Sequence, residues 1–248
     1  MTQLDRTALV TGGAGCLGRA ICLSLRASGC HVIAVDRDEA ALATLGADIQ
    51  ASAIACDLRD PNATQQAVSR AWEQHGPISI LINAAGLIHN APLISVTNAT
   101  ARRHSLEDWN AVIEANLTSV FLATLNVVDH MVSTRTRGVI VSLSSIASLG
   151  NAGQGAYAAA KAGVNALTSS WAKELGPLGI RFVAIAPGFI DTSSTHDALT
   201  EPLLKDWVRR TPLRRLGSVE SVTSAVLFAV TNQDVTGTVI EVDGGLTL

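Results

Sequence analysis

Tyr157 and Lys161 are the residues whose types and spacing first suggest chemistry. They lie four apart in an alanine-rich stretch that contains the only tyrosine of the chain. Apolar residues continue at helical spacing through Val164 and Leu167, which predicts a helix with both side chains on one face. A neighbouring ammonium favours the phenolate and lowers the tyrosine pKa from its usual value of about 10. The pattern therefore predicts that Tyr157 exchanges a proton with a substrate and that Lys161 lowers its pKa.

Three more polar residues precede this pair. Ser144 and Ser145 follow a predicted strand, where a hydroxyl could hydrogen-bond the substrate oxygen that Tyr157 protonates. Asn116 lies within an apolar pattern that predicts a helix over residues 106–132. Because asparagine is a mediocre helix former, its position there calls for a local hydrogen bond or a functional role.

A glycine-rich turn separates the first predicted strand, residues 7–11, from a predicted helix. Such a turn leaves backbone amides and the positive end of the helix open to an anion, and only glycine lets that anion approach closely. The arrangement predicts a site for the diphosphate of a dinucleotide. The residues predicted to form it are Gly12, Gly15, Cys16, Leu17 and Gly18.

Asp36 ends the second predicted strand and bears on the choice of dinucleotide. A carboxylate there can accept hydrogen bonds from the adenosine ribose and would repel a 2′-phosphate, which favours NAD. Arg37 could instead hold that phosphate, so NADP remains possible. Asp57, at the end of the third strand, could contact the adenine ring, with Leu58 beside it.

Strands alternate with helices along the whole chain. This alternation predicts a single α/β domain over residues 1–248, a Rossmann-like doubly wound parallel sheet of about seven strands with helices on both faces. The cofactor crevice of such a sheet lies at the carboxyl ends of its strands. Further residues predicted to line it are Asn83, Ala84, Ala85, Gly86, Pro187, Gly188, Ile190 and Thr192.

Two segments are candidates for contact with the substrate. Residues 87–105 form a long loop, and loops of this length in compact domains are usually functional or mobile. Residues 193–215 have a polar start and an apolar face, which predicts a small helical lid.

Composition bounds the function. The chain is 48% hydrophobic and 16% charged, and its net charge of −3 gives no general attraction for nucleic acid or an anionic membrane. The four cysteines and six histidines lack the spacings of metal sites, so no metal is expected. No leader and no apolar run approaching membrane-span length is recognised, and a cytoplasmic protein with a small-molecule partner is expected.

In this order, the motifs resemble the classical short-chain dehydrogenase/reductase family over essentially the whole chain. The ending, Pro212 to Gly217 followed by Val235 to Gly245, looks most like the 3-oxoacyl-carrier-protein reductase branch. The residues that carry the family resemblance are Thr11, Gly12, Gly18, Asp57, Asn83 to Gly86, Asn116, Ser144, Ser145, Tyr157, Lys161, Pro187, Gly188 and Thr192.

The resemblance implies hydride transfer between a nicotinamide and a carbonyl or alcohol carbon. By this resemblance Tyr157 is the acid and base, and Lys161 lowers its pKa and binds the nicotinamide ribose. Asn116 would hold a water molecule of a proton relay, and Thr192 would contact the carboxamide of the nicotinamide. For the catalytic serine, the family's usual spacing of thirteen residues before the tyrosine selects Ser144, whereas alignment from the start of the strand selects Ser145. We favour Ser145. The resemblance also implies a homotetramer.

The chain departs from the family pattern at two further places. Cys16 replaces the middle glycine of the TGxxxGxG loop, which could weaken cofactor binding. The segment after Gly86 is longer than is usual in the reductase branch and resembles the insertion of type 10 hydroxyacyl-CoA and hydroxysteroid dehydrogenases.

Three functions therefore follow from the sequence. The first is an oxidoreductase that transfers a hydride between NAD(H) and a secondary alcohol or ketone. The second is an NADPH-dependent 3-oxoacyl-(carrier protein or CoA) reductase. The third is a dinucleotide-binding protein without catalysis.

Overall fold

The computed structural model describes residues 4–49, 51–96 and 102–248. In these residues, seven strands form one sheet in which every neighbouring pair is parallel. The strands are β1 (Thr7–Thr11), β2 (His31–Asp36), β3 (Ser52–Ala55), β4 (Ile78–Asn83), β5 (Gly138–Leu143), β6 (Ile180–Pro187) and β7 (Thr238–Val242). Their order across the sheet is β3-β2-β1-β4-β5-β6-β7. The predicted doubly wound parallel sheet is confirmed.

Helices cover both faces of this sheet. They are α1 (Cys16–Ala27), α2 (Glu39–Ile49), α3 (Pro61–His75), α4 (Leu106–Ile113), α5 (Ser119–Thr134), α6 (Gly155–Leu175), α7 (Ser193–Ala198), α8 (Glu201–Arg210) and α9 (Val219–Thr231). Two short 3-10 turns, Ile146–Leu149 and Gly176–Leu178, flank α6.

The core consists of two apolar layers, one on each face of the sheet. Every residue of β5 and β6 is buried, which explains why both strands are nearly continuous apolar runs in the sequence. The strand order reverses between β1 and β4, and the crevice outside their carboxyl ends is where ligands bind in such sheets. The fold thus places the ends of β1, β2, β4 and β5 around one opening.

Local signals in the sequence fix where several helices begin. The Asp60 carboxylate accepts the amides of Asn62 and Ala63 ahead of α3, with Pro61 in the first helical position. Ser105 caps α4 in the same way. These caps satisfy backbone amides that have no partner within the helix.

The helix predicted over residues 106–132 runs on to Thr134 and contains a π-helical turn, Glu114–Thr118, between α4 and α5. Within this turn, the side chain of Asn116 donates to the Val112 carbonyl at 2.9 Å. A side chain that competes for a helical carbonyl disturbs the regular ladder, and single π turns are frequent at functional sites.

This continuous helix also corrects one expectation. Among the described residues, Leu106–Thr134 is the one helix long and apolar enough to cross a membrane, with an 18-residue window of mean hydropathy 1.6. The expectation that nothing approaches membrane-span length was therefore wrong for this helix. Half of that window is buried inside the fold, and core helices pass the same test of length and composition.

The long segment after Gly86 is described on both sides of residues 97–101, which lie outside the described part of the chain. Ser95 donates its amide to the carbonyl of Arg102, and Ile94 pairs with Arg103 in an antiparallel bridge. The amide of Ala91 donates to the carbonyl of Gly153, just ahead of α6. The segment is thus attached directly to the region that leads into Tyr157.

Residues 193–215, the expected lid, contain α7 and α8. The ring of Trp207 on α8 lies 4.6 Å from that of Phe189, which follows β6. The lid function stays a prediction.

Candidate active site

Tyr157 and Ser145 come together at the start of α6. Tyr157 is 9% exposed, and its ring packs against Val112, Ala147 and Ala156. The Ser145 side chain lies near enough to its hydroxyl to lower the pKa of Tyr157. The Ser145 hydroxyl also accepts the Ala147 amide at 3.1 Å, which fixes it at the end of β5. The two hydroxyls can therefore bind one substrate oxygen together.

Ser144 has a different position. It is 4% exposed, and its hydroxyl donates to the Lys161 carbonyl at 3.3 Å. Its amide donates to the carbonyl of Ile185 on the neighbouring strand. The contacts of Ser144 hold β5, β6 and α6 together.

Lys161 lies one helical turn beyond Tyr157 and is 4% exposed. Its Nζ donates to the Leu143 carbonyl at 2.8 Å and lies 5.5 Å from the centroid of the tyrosine ring. Burial lowers the pKa of Lys161 to about 8. The ammonium would therefore lose its proton as pH rises through about 8.

The pKa of Tyr157 runs against the expectation from the sequence. Burial raises this pKa above its ordinary value of 10, and the hydrogen bond with Ser145 opposes the rise without cancelling it. A phenolate in this apolar pocket loses its hydration, while Lys161 is directed at the carbonyl of Leu143. In this structure Tyr157 is thus protonated at neutral pH, which suits a proton donor.

Asn116 is completely buried in the π-helical turn. Its Nδ2 donates to the Leu87 carbonyl at 2.7 Å, and its Oδ1 accepts the Leu87 amide at 3.2 Å. A Cβ on Gly86 would lie 2.6 Å from Oδ1 of Asn116 and 3.7 Å from Nζ of Lys161. Asn116 and Lys161 therefore converge on Gly86, and only glycine leaves room between them.

The glycine-rich turn forms a cradle next to this point. Gly12 has φ +64°, and a Cβ there would lie 2.6 Å from the backbone of Ala85. A Cβ on Gly18 would lie 1.9 Å from the carbonyl oxygen of Gly12. Gly15 caps α1 without any side-chain hydrogen bond, so the first amides of α1 face the crevice without a side-chain acceptor. Such a helix start fits a diphosphate.

A cleft of about 190 Å³ continues from this turn along the ends of β2, β3 and β4. Its length is lined by residues predicted from the sequence to contact a dinucleotide. These are Gly12, Gly15, Asp36, Arg37, Asp57, Leu58, Ala84, Ala85 and Gly86.

Comparison with known proteins agrees with this geometry. The family model for short chain dehydrogenases matches residues 6–202. The chain belongs to the short-chain dehydrogenase family.

Several relatives match over the full length. The 3-oxoacyl-(acyl-carrier-protein) reductase FabG of Thermotoga maritima is 37% identical, with 98% of each chain covered. A 3-oxoacyl-(acyl-carrier-protein) reductase of Synechocystis is 35% identical over all of both chains. The crystal structure of a protein called gox2181 superposes with a TM-score of 0.89 at 31% identity and covers 97% of this chain and 95% of that one.

Membership confirms the resemblance found in the sequence. This short-chain dehydrogenase is an oxidoreductase that uses NAD or NADP and acts on a small molecule. The residues present also fit a dinucleotide, because the glycine cradle, the open start of α1 and the charged cleft lie in one line.

Cys16 is the one residue of the glycine loop that departs from the family pattern. It is the first residue of α1, and its exposed side chain is not part of the cleft lining. Since no positive φ is required at Cys16, a side chain is accommodated without backbone strain.

Charged residues line the end of the cleft that lies beside β2 and β3. The Asp36 carboxylate accepts the amides of Ala14 and Asp38, both at 3.1 Å. The side chain of Arg37 makes no hydrogen bond or ion pair with the described residues. The Arg59 guanidinium donates to both carboxylate oxygens of Asp57, with Nη2 at 2.6 Å from Oδ2. These hydrogen bonds lower the pKa of Asp57 to about 2.

The structure does not bring every predicted residue to the cleft. The Asn83 side chain is buried at the end of the central strand β4 and donates to the hydroxyls of Thr124 and Ser142. The side chain of Ile190 packs into the core, and Thr192 caps α7. Together with Leu17, Gly18, Pro187 and Gly188, these residues lie outside the cleft lining.

Other residues line the cleft without having been predicted from the sequence. Arg59 is the most consequential, and its position two residues after Asp57 at a strand end was a usable signal. The others are Cys56, Leu87, Ala115 and Ser119. No motif marks those four, although Cys56 and Leu87 directly adjoin the predicted residues Asp57 and Gly86.

Proposed function

We propose that this short-chain dehydrogenase transfers a hydride between a nicotinamide dinucleotide and the carbonyl carbon of a 3-oxoacyl thioester. The observation that carries the proposal is the grouping of Tyr157 with the Ser145 side chain and with buried Lys161, whose Nζ lies 5.5 Å from the centroid of the tyrosine ring. The full-length relatives named 3-oxoacyl-(acyl-carrier-protein) reductases support the substrate class.

The dinucleotide supplies the hydride when it is bound. In the direction of reduction, Ser145 and Tyr157 hold the substrate oxygen, and the Tyr157 hydroxyl gives it a proton as charge develops there. The raised pKa of Tyr157 keeps that proton in place until it is needed. Lys161 stabilises the phenolate that remains, and Asn116 fixes Leu87 beside Gly86, where the cleft meets these groups.

For the cofactor we favour NAD(H). Two backbone amides fix the Asp36 carboxylate at the end of β2, where it would accept ribose hydroxyls and repel a 2′-phosphate. A second candidate is NADPH, because the Arg37 guanidinium forms no hydrogen bond or ion pair with the residues that the structure describes, and Arg59 lines the same cleft.

The test is steady-state reduction of acetoacetyl-coenzyme A with NADH and, separately, with NADPH. The proposal expects turnover, with a kcat/KM at least about tenfold higher for NADH, a gap of about 1.4 kcal/mol. Asp36→Ala should then narrow the gap, while Asp38→Ala serves as a control on the same turn. A higher kcat/KM with NADPH would select the second candidate.

The protein could instead bind the dinucleotide tightly and turn over neither acetoacetyl-coenzyme A nor any of a panel of ketones. That result would favour a dinucleotide-binding protein without catalysis. The homotetramer and the cytoplasmic location stay predictions.

A further inference from the structure

A second depression lies at the amino-terminal ends of the strands, whereas the cleft lies at their carboxyl ends. Its volume is about 730 Å³. Arg6 precedes β1, Arg137 precedes β5 and Arg181 is the second residue of β6, so adjacent chain segments bring these arginines to one place. Asp234, between α9 and β7, is the one acidic residue that lines it.

Two of these arginines are fixed by hydrogen bonds to neutral groups. Arg6 donates to the hydroxyl and the carbonyl of Ser79 at 2.9 and 2.7 Å. Arg181 is 9% exposed and donates to the carbonyls of Ala229, Val230 and Val235 at 2.8 to 3.0 Å. Both guanidinium groups are therefore held in place at the depression.

None of these positive charges is in an ion pair with the described residues. Across the described ranges, no carboxylate lies within 4 Å of Arg6, Arg137 or Arg181. Burial lowers the pKa of Arg181, the nearby Arg6 charge lowers it further, and the Asp234 carboxylate opposes this shift. Asp234 is one negative charge beside three arginines and offsets their charge only in part, so a bound anion would offset more of it.

Arg137 is exposed at the rim and forms no hydrogen bond or ion pair with the described residues through its side chain. Its aliphatic stem lies over Gly179, where a Cβ would come within 2.9 Å of Cγ. A Cβ on Gly138 would lie 2.4 Å from the carbonyl oxygen of Ser79. A side chain at either glycine would collide with these neighbours, so the chain segments pack this closely only with glycine, and the exposed Arg137 side chain can close on a ligand.

We propose that this depression binds a small phosphorylated ligand. Guanidinium forks match the oxygens of phosphate in geometry and charge, and three of them surround one space. The volume lies within the usual range of small-molecule sites, roughly 300–1,000 Å³. The ligand would bind at the amino-terminal ends of the strands, away from the hydride-transfer site at the carboxyl ends.

The experiment is calorimetric titration of the full chain with inorganic pyrophosphate at constant ionic strength. Saturating NADH and NADPH are present, so that the start of α1 does not take up the probe. We expect one site per chain and, in Arg137→Gln, binding weaker by at least about tenfold. Arg137 is exposed, so this variant should fold normally.

Arg135→Gln is the matched control, because Arg135 is an exposed arginine two residues away that does not line the depression. It should bind pyrophosphate like the wild type. No binding to the wild type would overturn the proposal, and so would equal weakening in both variants, which would indicate general attraction to surface charge. Both variants retain every residue of the hydride-transfer site, so failure of the proposed function would not produce either result.

Discussion

At the residue scale, two serines that are adjacent in sequence have different partners. Ser145 contacts the Tyr157 hydroxyl, whereas Ser144 contacts the backbone of Lys161. Counting residues back from the tyrosine selects the wrong one of these two for contact with Tyr157, because the strand end and the 3-10 turn decide which hydroxyl faces the ring. The sequence could supply the candidates but not their orientation.

The two serines should therefore respond differently to replacement. Ser145→Ala removes a hydrogen bond to the substrate oxygen and should lower kcat by about a hundredfold. Ser144→Ala should change kcat little and mainly lower the melting temperature. Steady-state kinetics and thermal unfolding of both variants check this, and the reverse pattern of kcat would assign the role to Ser144.

The pKa of Lys161 leads to a prediction on pH. The ammonium that stabilises the Tyr157 phenolate is lost as pH rises through about 8. Reductive kcat, measured at saturating substrate from pH 6 to pH 9.5, should therefore fall above about pH 8. A kcat that stays constant up to pH 9.5 would argue against this role.

Unfolding by denaturant over the same range is the control. The pKa of Lys161 is about 8 in the folded protein and about 10.4 in the unfolded chain, so between these values the unfolded state binds more protons. This group therefore adds stability as pH rises from about 8 to about 10.4. If kcat falls between about pH 8 and pH 9.5, loss of stability caused by the titration of Lys161 is therefore not the reason.

At the element scale, the π-helical turn is the feature that periodicity could not predict. Apolar spacing indicated one helix, and the structure has one, but Asn116 widens it for one turn and ties it to Leu87. Such a turn depends on a side-chain bond to a distant segment. The bounds of β1, by contrast, matched the sequence prediction at both ends.

Replacing Asn116 should therefore cost stability. Asn116→Ala leaves the amide and carbonyl of Leu87 without partners, which should lower the free energy of unfolding by about 1–3 kcal/mol. Asn126→Ala is the matched control, since Asn126 lies on α5 and its side chain donates to the carbonyl four residues earlier and to no other described residue. Both variants are compared by denaturant unfolding. An equal loss in the free energy of unfolding would show that the hydrogen bonds between Asn116 and Leu87 add no stability of their own.

At the scale of the whole molecule, the parallel sheet and its crevice follow from the alternation of strands and helices. The outer face of α5 remains apolar, with Phe121 43%, Leu125 52% and Val132 43% exposed. The ring of Phe121 also approaches Trp171 on α6, at 6.5 Å. Periodicity could not separate this stripe from a core face, because only the packed structure shows which residues stay exposed.

This stripe is where we expect subunits to meet. The wild type should have the mass of a tetramer in light scattering, and Leu125→Glu should reduce that mass by placing a charge in the interface. Leu23→Glu, on the exposed side of α1, should leave the mass unchanged. A monomeric wild type would exclude the homotetramer.

The whole account depends on Tyr157 as the proton donor, and Tyr157→Phe tests it most directly. Phenylalanine keeps the ring that packs on Val112, Ala147 and Ala156, so the fold and dinucleotide binding should persist. We predict that kcat for acetoacetyl-coenzyme A falls by at least about a hundredfold while the Kd for the dinucleotide is nearly unchanged. Turnover at the wild-type rate in Tyr157→Phe would contradict the proposed mechanism.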